Sequence, residues 1–182
     1  MKTQLHLYNN SWYRPGNIFK RLSWLLVSAF FFQHPLALGS GFKCFLLRLF
    51  GASIGKKVKI KPSVTIKYPW FLKVGDHAWI GEGVWLDCLT YISIGDHCCI
   101  SQGALLLTGN HHYKKYSFDL ILKEIKLEEG VWIGAKAIVC PGVVAGSHAF
   151  LTVGSVANSS LEPYTIYRGN PATALKKREI TE

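Results

Sequence analysis

The chain has 182 residues, of which 49% are hydrophobic and 18% charged; this excludes a disordered protein and allows one domain with a sizeable core. No apolar run reaches the roughly 18 residues of a membrane-spanning helix. The five cysteines are odd in number and lack C-x-x-C spacing. They therefore disfavour a disulfide framework or a zinc ribbon and fit a reducing cytosol.

Charge is distributed unevenly along the chain. Residues 1–75 contain 12 Lys and Arg and no acidic residue, whereas residues 76–182 contain 9 basic and all 11 acidic residues. The net charge of +10 therefore comes from the N-terminal part alone. This asymmetry disfavours a uniformly basic nucleic-acid-binding protein.

Two helices are predicted in the first domain, residues 1–53, which is basic and apolar. They span 18–32 and 42–50 and are separated by Pro35 and a Gly-Ser-Gly turn at 39–41. A secretory signal peptide is the rival interpretation of the first apolar stretch. The long segment before it and the missing A-x-A cleavage site disfavour that interpretation.

Aliphatic residues recur at every sixth position through the second domain, residues 54–166. With three restarts, the spacing includes Ile54, Ile60, Ile66, Val74, Ile80, Leu86, Ile94, Ile100, Leu106, Leu127, Ile133, Val139, Ala145, Leu151 and Ala157. Glycine often follows these positions, which is typical of a very short strand that ends at a corner. Because a six-residue period does not match an α-helix, we predict an all-β solenoid of about five triangular coils with the aliphatic side chains stacked inside.

The interruptions of the repeat predict where the solenoid carries its loops. The steps after Ile66 and Leu86 are eight residues long, and the step after Leu106 is twenty-one. Each interruption follows a group of three aliphatic positions, so all insertions should leave the same corner. The longest, at about 108–122, contains His111, and long loops on rigid scaffolds often carry function.

The third domain, residues 167–182, is predicted to be a tail with a short helix. Asn170 and Pro171 have the residue types of an N-cap and a first helical position. The helix would span residues 172–179 and end the fold.

Several motifs resemble those of one enzyme family. The [LIV]-G-x4 hexads, IGDHCCISQGALLLTGNHHY at 94–113, VWIGAKAIVCPGV at 131–143 and YRGNPATALKKR at 167–178 resemble the hexapeptide-repeat acyltransferases, in particular the colanic acid biosynthesis acetyltransferase-like branch. The basic apolar segment that ends in RLFGASIG at 48–55 is similar as well. The resemblance implies a left-handed parallel β-helix, acetyl-CoA as co-substrate, no metal, and a homotrimer with active sites between neighbouring prisms.

The chemistry of acetyl transfer identifies candidate catalytic residues. A sugar hydroxyl that attacks a thioester must lose its proton to a base, and histidine suits this role. The T-G-N-H match implies that His111 is this base, with His112 as the weaker candidate. Asp87 matches an acidic position of related sugar acetyltransferases; it is expected to orient the base or hold the sugar, unless it only makes a local turn bond. Asn110 is a candidate for binding substrate or for capping the loop.

Coenzyme A is expected to bind mainly through backbone groups. The resemblance places contacts of its pantetheine arm at Gly134, Ala135, Gly142 and Ser155. Its phosphates need positive charge, for which the candidates are Lys176, Lys177 and Arg178. A solvated basic tail is the alternative for at least one of these three residues.

Three histidines belong to the six-residue repeat and lie outside the long insertion. His77, His97 and His148 each follow an inward aliphatic residue by three positions. Stacked histidines suggest a metal ladder, but histidine also tolerates the left-handed backbone of a turn, and we prefer the turn. Cys98 and Cys99 would point to opposite faces of a strand, so they would not form a joint site.

The predicted function is transfer of an acetyl group from acetyl-CoA to a sugar hydroxyl of a surface polysaccharide or related glycan intermediate, directly and with histidine assistance. The alternatives are an amino-sugar N-acetyltransferase, a zinc-dependent or inactive β-helix protein, and a scaffold. The expected partner is a sugar or lipid-linked glycan, with no nucleic acid. The expected location is cytoplasmic. The N-terminal segment is expected to cap the first coil, to contact the inner membrane surface, or both. Membrane contact is suggested because Lys20 and Arg21 lie beside aromatic and aliphatic residues.

Overall fold

The N-terminal part of the molecule is an extended arm, residues 2–17, followed by two helices. The computed structural model describes residues 2–34 and 39–181. The arm contains a 3-10 turn at Leu5–Leu7, and the helices are α1, Ile18–Phe31, and α2, Ser40–Leu49.

The helix boundaries follow from local hydrogen bonds. The Asn17 side chain accepts a bond from the backbone N–H of Lys20 at 2.8 Å and caps α1. Helix α2 begins at Ser40, inside the turn expected from the sequence. Pro35, expected to separate the helices, lies outside the described residues. Neither helix within the described ranges is long and apolar enough to cross a membrane.

The rest of the chain winds into a triangular prism. Each of its three sides is a sheet of parallel strands, apart from one antiparallel strand at the end of the second side. The first side contains Ser53–Ile54, Leu72–Val74, Ile92–Ile94, Ile125–Leu127 and Val144–Ala145. The second contains Lys59–Ile60, Trp79–Ile80, Cys99–Ile100, Trp132–Ile133, Phe150–Leu151, Thr165–Gly169 and Ala172–Lys177. The third contains Thr65–Ile66, Trp85–Asp87, Leu105–Leu107, Ile138–Val139 and Val156–Ala157.

The core of the prism consists of the aliphatic positions that recur every six residues. All fifteen are buried, and equivalent positions stack in register, as Ile80 does between Ile60 and Ile100. Burying one such side chain stabilises the fold by about 1.5–3 kcal/mol relative to leaving it exposed. The sequence spacing therefore predicted both the solenoid and its interior.

The prism has about six turns rather than the five expected. The five predicted coils are followed by a partial sixth, in which Leu161 bridges to Ala145 and Tyr167 pairs with Leu151. The step from Ala157 to Leu161 is four residues instead of six. This shortened step breaks the period, which is why the repeat count stopped one turn early.

The predicted C-terminal helix is wrong. Residues Ala172–Lys177 form a strand that pairs antiparallel with Thr165–Gly169, and Asn170 and Pro171 lie at the turn between them. Thr165–Gly169 would otherwise present unpaired N–H and C=O groups at the last edge of the second side. The tail satisfies these groups, and this tertiary pairing overrides the local helix preference of its residues.

All three insertions leave the corner between the third and first sides, as predicted. The first contains a 3-10 turn at Pro69–Phe71. The second is short and spans 88–91. The third carries a two-stranded hairpin in which Gly109–His111 pairs with Leu120–Leu122.

Helix α2 covers the first coil and bonds to its free edge. The Arg48 guanidinium donates to the carbonyl oxygens of Ile54 at 3.0 Å and Gly55 at 2.7 Å. The fully buried Lys43 ammonium donates to the Lys61 carbonyl at 2.9 Å, and burial lowers the pKa of this lysine. These side chains satisfy backbone groups that a preceding coil would otherwise pair.

Candidate active site

His111 is held in one orientation by the long insertion. Its Nδ1 lies 2.8 Å from the carbonyl oxygen of Phe118. A carbonyl only accepts hydrogen bonds, so Nδ1 carries the proton in this pair, and Nε2 has the lone pair when the imidazole is neutral. The Phe118 ring stacks on the imidazole with centroids 4.2 Å apart, and Tyr8 of the arm makes an edge contact at 5.5 Å.

Phe118 has an uncommon backbone conformation. Its φ is +53°, in the left-handed region that bulky side chains rarely occupy. Strain of this kind often marks functional sites. Here it accompanies a residue that contacts His111 through both its ring and its carbonyl group.

A cavity of about 400 Å³ opens beside His111. The arm contributes Tyr8 and Tyr13 to its wall, and α1 contributes Arg21. The first insertion adds Lys67 to the lining. The site is thus assembled from segments that are far apart in the sequence.

Asp87 lies at the same corner and is 7% exposed. Its carboxylate forms an ion pair with Lys67, with Oδ1 3.5 Å from Nζ. Its Oδ2 lies 3.7 Å from the point where a Cβ on Gly109 would be, at the start of the hairpin strand that carries His111. The structure therefore brings Asp87 and His111 to one region and gives Asp87 a lysine as its charged partner.

Thr108 ties the insertion to this corner. Its buried hydroxyl donates to the Asp87 carbonyl at 2.5 Å and accepts from the Leu89 N–H at 3.0 Å. A Cβ on Gly109 would approach the terminal methyl of the Leu89 side chain to 2.5 Å, so a larger residue there would require this side chain to move. The Thr of the T-G-N-H motif thus positions the hairpin.

Asn110 and His112 have local roles in the hairpin. The Asn110 side chain is exposed and accepts a bond from the backbone N–H of His111 at 2.8 Å. The backbone N–H of His112 donates to the Asp119 carbonyl at 2.8 Å. Of the two neighbouring histidines, His111 is the one that lines the cavity.

Tyr13 joins the N-terminal arm to the site. Its hydroxyl donates to the Leu89 carbonyl at 2.6 Å. Burial and the nearby Tyr68 and Asp87 raise the pKa of this phenol well above its usual value. Tyr13 therefore stays protonated near neutral pH and keeps this bond.

The expected coenzyme A contacts lie at different corners of the prism. Gly134, Ala135 and Ser155 are at the corner between the second and third sides, where the Gly154 N–H donates to the Ala135 carbonyl at 2.9 Å. Gly142 is at the corner of the insertions, and a Cβ there would lie 2.9 Å from the Lys123 side chain. These positions therefore do not lie along one edge of a single prism.

Several of these residues already have structural partners. A Cβ on Gly134 would lie 2.6 Å from the backbone nitrogen of Val153 in the next coil, so close coil stacking requires glycine there. The Ser155 hydroxyl is buried, lies 2.9 Å from the Thr152 hydroxyl and accepts from the Gly169 N–H at 3.0 Å. These bonds occupy the serine side chain within the fold.

The basic tail residues also differ from one another. The Arg178 guanidinium donates to the carbonyl oxygens of Gly130 at 3.1 Å and His148 at 3.0 Å, at the corner between the first and second sides. The Lys177 ammonium donates to the Thr165 hydroxyl at 3.1 Å, and Lys176 is exposed. Arg178 therefore links the fourth and fifth coils through hydrogen bonds.

The three histidines of the repeat occupy left-handed turns, as preferred from the sequence. The φ angles of His77, His97 and His148 are +59°, +56° and +59°, and the rings of the first two stack at 4.9 Å. Within residues 2–34 and 39–181 no three His, Cys, Asp or Glu side chains are grouped so as to hold a metal ion.

Comparison with known proteins gives a consistent set of relatives, although no family model matches the chain. It is 40% identical over 170 residues to the colanic acid biosynthesis acetyltransferase WcaF of Escherichia coli K12, covering 93% of each chain. A hexapeptide-repeat acetyltransferase from Vibrio cholerae, solved with acetyl-CoA, has a TM-score of 0.78 and 24% identity, covering 89% of this chain and 88% of that one. A maltose O-acetyltransferase from Clostridium difficile has a TM-score of 0.78 and 23% identity, covering 90% and 88%.

The fold is accordingly the left-handed β-helix of the hexapeptide-repeat acetyltransferases. Identity of 40% across nearly the full length of both proteins goes further, and the chain belongs to the colanic acid biosynthesis acetyltransferase family. It is an acetyltransferase, as the motifs predicted. The acetyl-CoA in the Vibrio structure agrees with the co-substrate expected from the resemblance.

Sequence reasoning missed several residues of the site. Each of four residues contacts His111 or Asp87 or lines the cavity beside His111: Phe118, Tyr8, Tyr13 and Lys67. The cluster of aromatic residues at Tyr8–Tyr13 is the signal that could have drawn attention to the arm. Its partner was not predictable, because the arm lies some 100 residues before the insertion.

Proposed function

We propose that this acetyltransferase moves an acetyl group from acetyl-CoA to a sugar hydroxyl of a surface polysaccharide or related glycan intermediate, with His111 as general base. The observation that carries the proposal is the bond from Nδ1 of His111 to the Phe118 carbonyl. It leaves Nε2 with a lone pair beside a cavity of about 400 Å³, within the size range of ligand sites.

The proposed reaction is a direct transfer. The sugar hydroxyl gives its proton to Nε2 of His111 as its oxygen attacks the thioester carbonyl carbon. The C–S bond then breaks, and the leaving thiolate takes the proton back from the imidazolium. The Phe118 carbonyl accepts a hydrogen bond from Nδ1–H in each step and keeps the imidazole ring in one orientation.

A covalent acyl-enzyme is not part of the proposal. Burial raises the pKa of the Cys88 thiol strongly, so a thiolate nucleophile is disfavoured there. Burial also raises the pKa of Cys140. Neither cysteine lies in the insertion beside His111.

Asp87 and Lys67 are proposed to hold the acceptor. Their ion pair presents acceptor and donor atoms at the corner where the insertion begins. Sugar hydroxyls both donate and accept hydrogen bonds, so a carboxylate and an ammonium are suitable partners. Asn110, which is exposed beside His111, is proposed as a second polar contact.

Coenzyme A is proposed to lie between two prisms of a homotrimer. The expected pantetheine contacts lie at two different corners of one chain, and neighbouring subunits would present different corners to the same groove. Gly134, Ala135, Gly142 and Ser155 would then contribute mainly backbone groups. Lys176 and Lys177 are the proposed phosphate contacts, with Arg178 as a further candidate although its Nη1 donates to two carbonyl groups.

The N-terminal helices are proposed to contact the inner membrane surface. Phe19 and Phe30 of α1 are exposed, as are Phe45 and Leu49 of α2. The first 75 residues carry no acidic residue to oppose an anionic lipid surface. Apolar side chains beside Lys and Arg are typical of helices that lie in the membrane interface.

An acceptor screen tests the proposed function. Purified protein is incubated with acetyl-CoA and sugars, nucleotide sugars or lipid-linked sugars, and release of free thiol is followed. We expect release with a hydroxyl acceptor and an O-acetyl ester in the product. Release only with amino sugars, giving an amide, would contradict O-transfer; release with no acceptor tested would contradict the glycan class.

A further inference from the structure

A second cavity lies next to the one at His111. It measures about 380 Å³ and runs between α1 and the third side of the first two coils. Leu22 and Leu25 form its helix wall, and Ile66 and Trp85 form its prism wall. The lining is mainly apolar, so the cavity suits a hydrocarbon group.

The two cavities share three lining residues, Arg21, Lys67 and Tyr68. The apolar groove and the cavity beside His111 are therefore adjacent, with these three side chains at their boundary. The Arg21 guanidinium is exposed and lies 6.0 Å from the centre of the Tyr68 ring. Lys67 supplies a second positive charge, shared with Asp87.

From the groove to His111, the lining residues are first apolar, then positively charged at Arg21 and Lys67, and then polar with a base. A ligand that matches it has a hydrocarbon chain, then an anionic linker, then a sugar. Arginine and lysine are suited to phosphate oxygens, and the apolar walls are suited to an acyl or isoprenoid chain. The ligand and the two adjacent cavities therefore match in the order of their apolar, charged and polar parts.

We propose that the groove under α1 binds the hydrocarbon chain of an acceptor whose sugar is attached to a lipid through phosphate, with Arg21 at the phosphate. This inference rests on the proposed function, because it assumes that the sugar lies at His111. The groove is beside the first two coils, whereas Gly134, Ala135 and Ser155 belong to the fourth and fifth. The pantetheine arm of coenzyme A and the lipid chain would therefore occupy opposite sides of the insertion.

Binding of geranylgeranyl phosphate to the full-length protein tests the inference. The probe is used below its micelle concentration, and affinity is measured by calorimetry. Leu25 and Leu26 are adjacent on α1 and 60% and 61% exposed, but only Leu25 lines the groove. We expect L25Q to weaken binding about fivefold or more and L26Q to leave it unchanged.

Two further measurements identify the phosphate contact. R21Q should weaken binding of geranylgeranyl phosphate and leave binding of geranylgeraniol, which lacks the phosphate, unchanged. Inorganic phosphate alone should compete only weakly, because it makes no apolar contact. Equal losses in L25Q and L26Q, competition by inorganic phosphate at the affinity of the lipid, or no binding of the probe would each overturn the inference.

The outcomes also separate this inference from the proposed function. Acetyl transfer to water-soluble sugars without binding of the isoprenoid phosphate would refute the groove alone. Binding of the isoprenoid phosphate with the expected L25Q effect, but no transfer to any hydroxyl acceptor, would support the groove and contradict the proposed reaction.

Discussion

Nδ1 of His111 lies 2.8 Å from the carbonyl oxygen of Phe118, and the rings of these two residues stack with their centroids 4.2 Å apart. His111 ends the first strand of the hairpin insertion, and Phe118 lies just before its second strand. The orientation of the proposed base therefore depends on correct pairing of Gly109–His111 with Leu120–Leu122. A change that loosens the hairpin would move the imidazole even if His111 itself were intact.

Removal of the proposed base is the most direct test of the reaction. We expect His111→Ala to lower turnover by roughly 10²–10⁴ and to leave thermal stability nearly unchanged. His112→Ala is the matched control and should have a much smaller effect, because its neighbour lines the cavity. Steady-state kinetics and thermal melting measure both quantities. The reverse order of the two effects would show that His112 is the base.

The Asp87–Lys67 ion pair provides a second test. We expect Asp87→Asn to reduce kcat/KM for the sugar by about tenfold or more, because the lost charge weakens a charge-assisted hydrogen bond. Affinity for coenzyme A should not change. Glu124→Gln, at an exposed residue of the same insertion, is the control. If the two variants change kcat/KM for the sugar equally, Asp87 serves only in its local turn and does not bind the acceptor.

The tail residues should separate into two groups. Lys176→Ala and Lys177→Ala are expected to weaken coenzyme A binding and to reduce its dependence on salt, since exposed charges are screened over about 10 Å at 0.1 M salt. Calorimetry at two salt concentrations measures this. If the affinity for coenzyme A changes neither with the substitutions nor with the salt concentration, the two lysines do not contact the phosphates.

Arg178→Ala should act mainly on stability. Its guanidinium bonds to two carbonyl oxygens of the last coils, and hydrogen bonds to charged groups contribute about 1.5–3 kcal/mol each. A loss of 1 kcal/mol lowers Tm by roughly 2–4 °C in a chain of this size. We expect Tm to fall by several degrees in scanning calorimetry, with Lys176→Ala as the unaffected control.

Association with lipid tests the exposed face of the helices. The full-length protein should co-sediment with liposomes that contain anionic lipid at low salt and be released partly at high salt, because each basic residue near the surface contributes about 1 kcal/mol. Phe19→Ser with Phe30→Ser should reduce the bound fraction, as both rings are exposed. Protein that stays in the supernatant at low salt would rule out membrane contact.

The sequence predicted the parts of the molecule that follow from local periodicity. The six-residue spacing from Ile54 to Ala157 identified the inward positions, and its interruptions located the corner from which the loops leave. Such a pattern is readable because each coil repeats one local geometry. The family resemblance also selected His111 from the motif, although its catalytic role stays a prediction.

Only the tertiary structure decided the features that depend on residues far apart in the chain. Residues Ala172–Lys177 have helix-forming side chains, yet they form a strand because an open sheet edge lies beside them. Tyr8 reaches His111 because the arm runs back along the prism to the third coil. Arg21 joins two cavities only because α1 packs against the third side. These contacts depend on how the coils, helices and arm stack in space, and neither periodicity nor motif spacing contains that information.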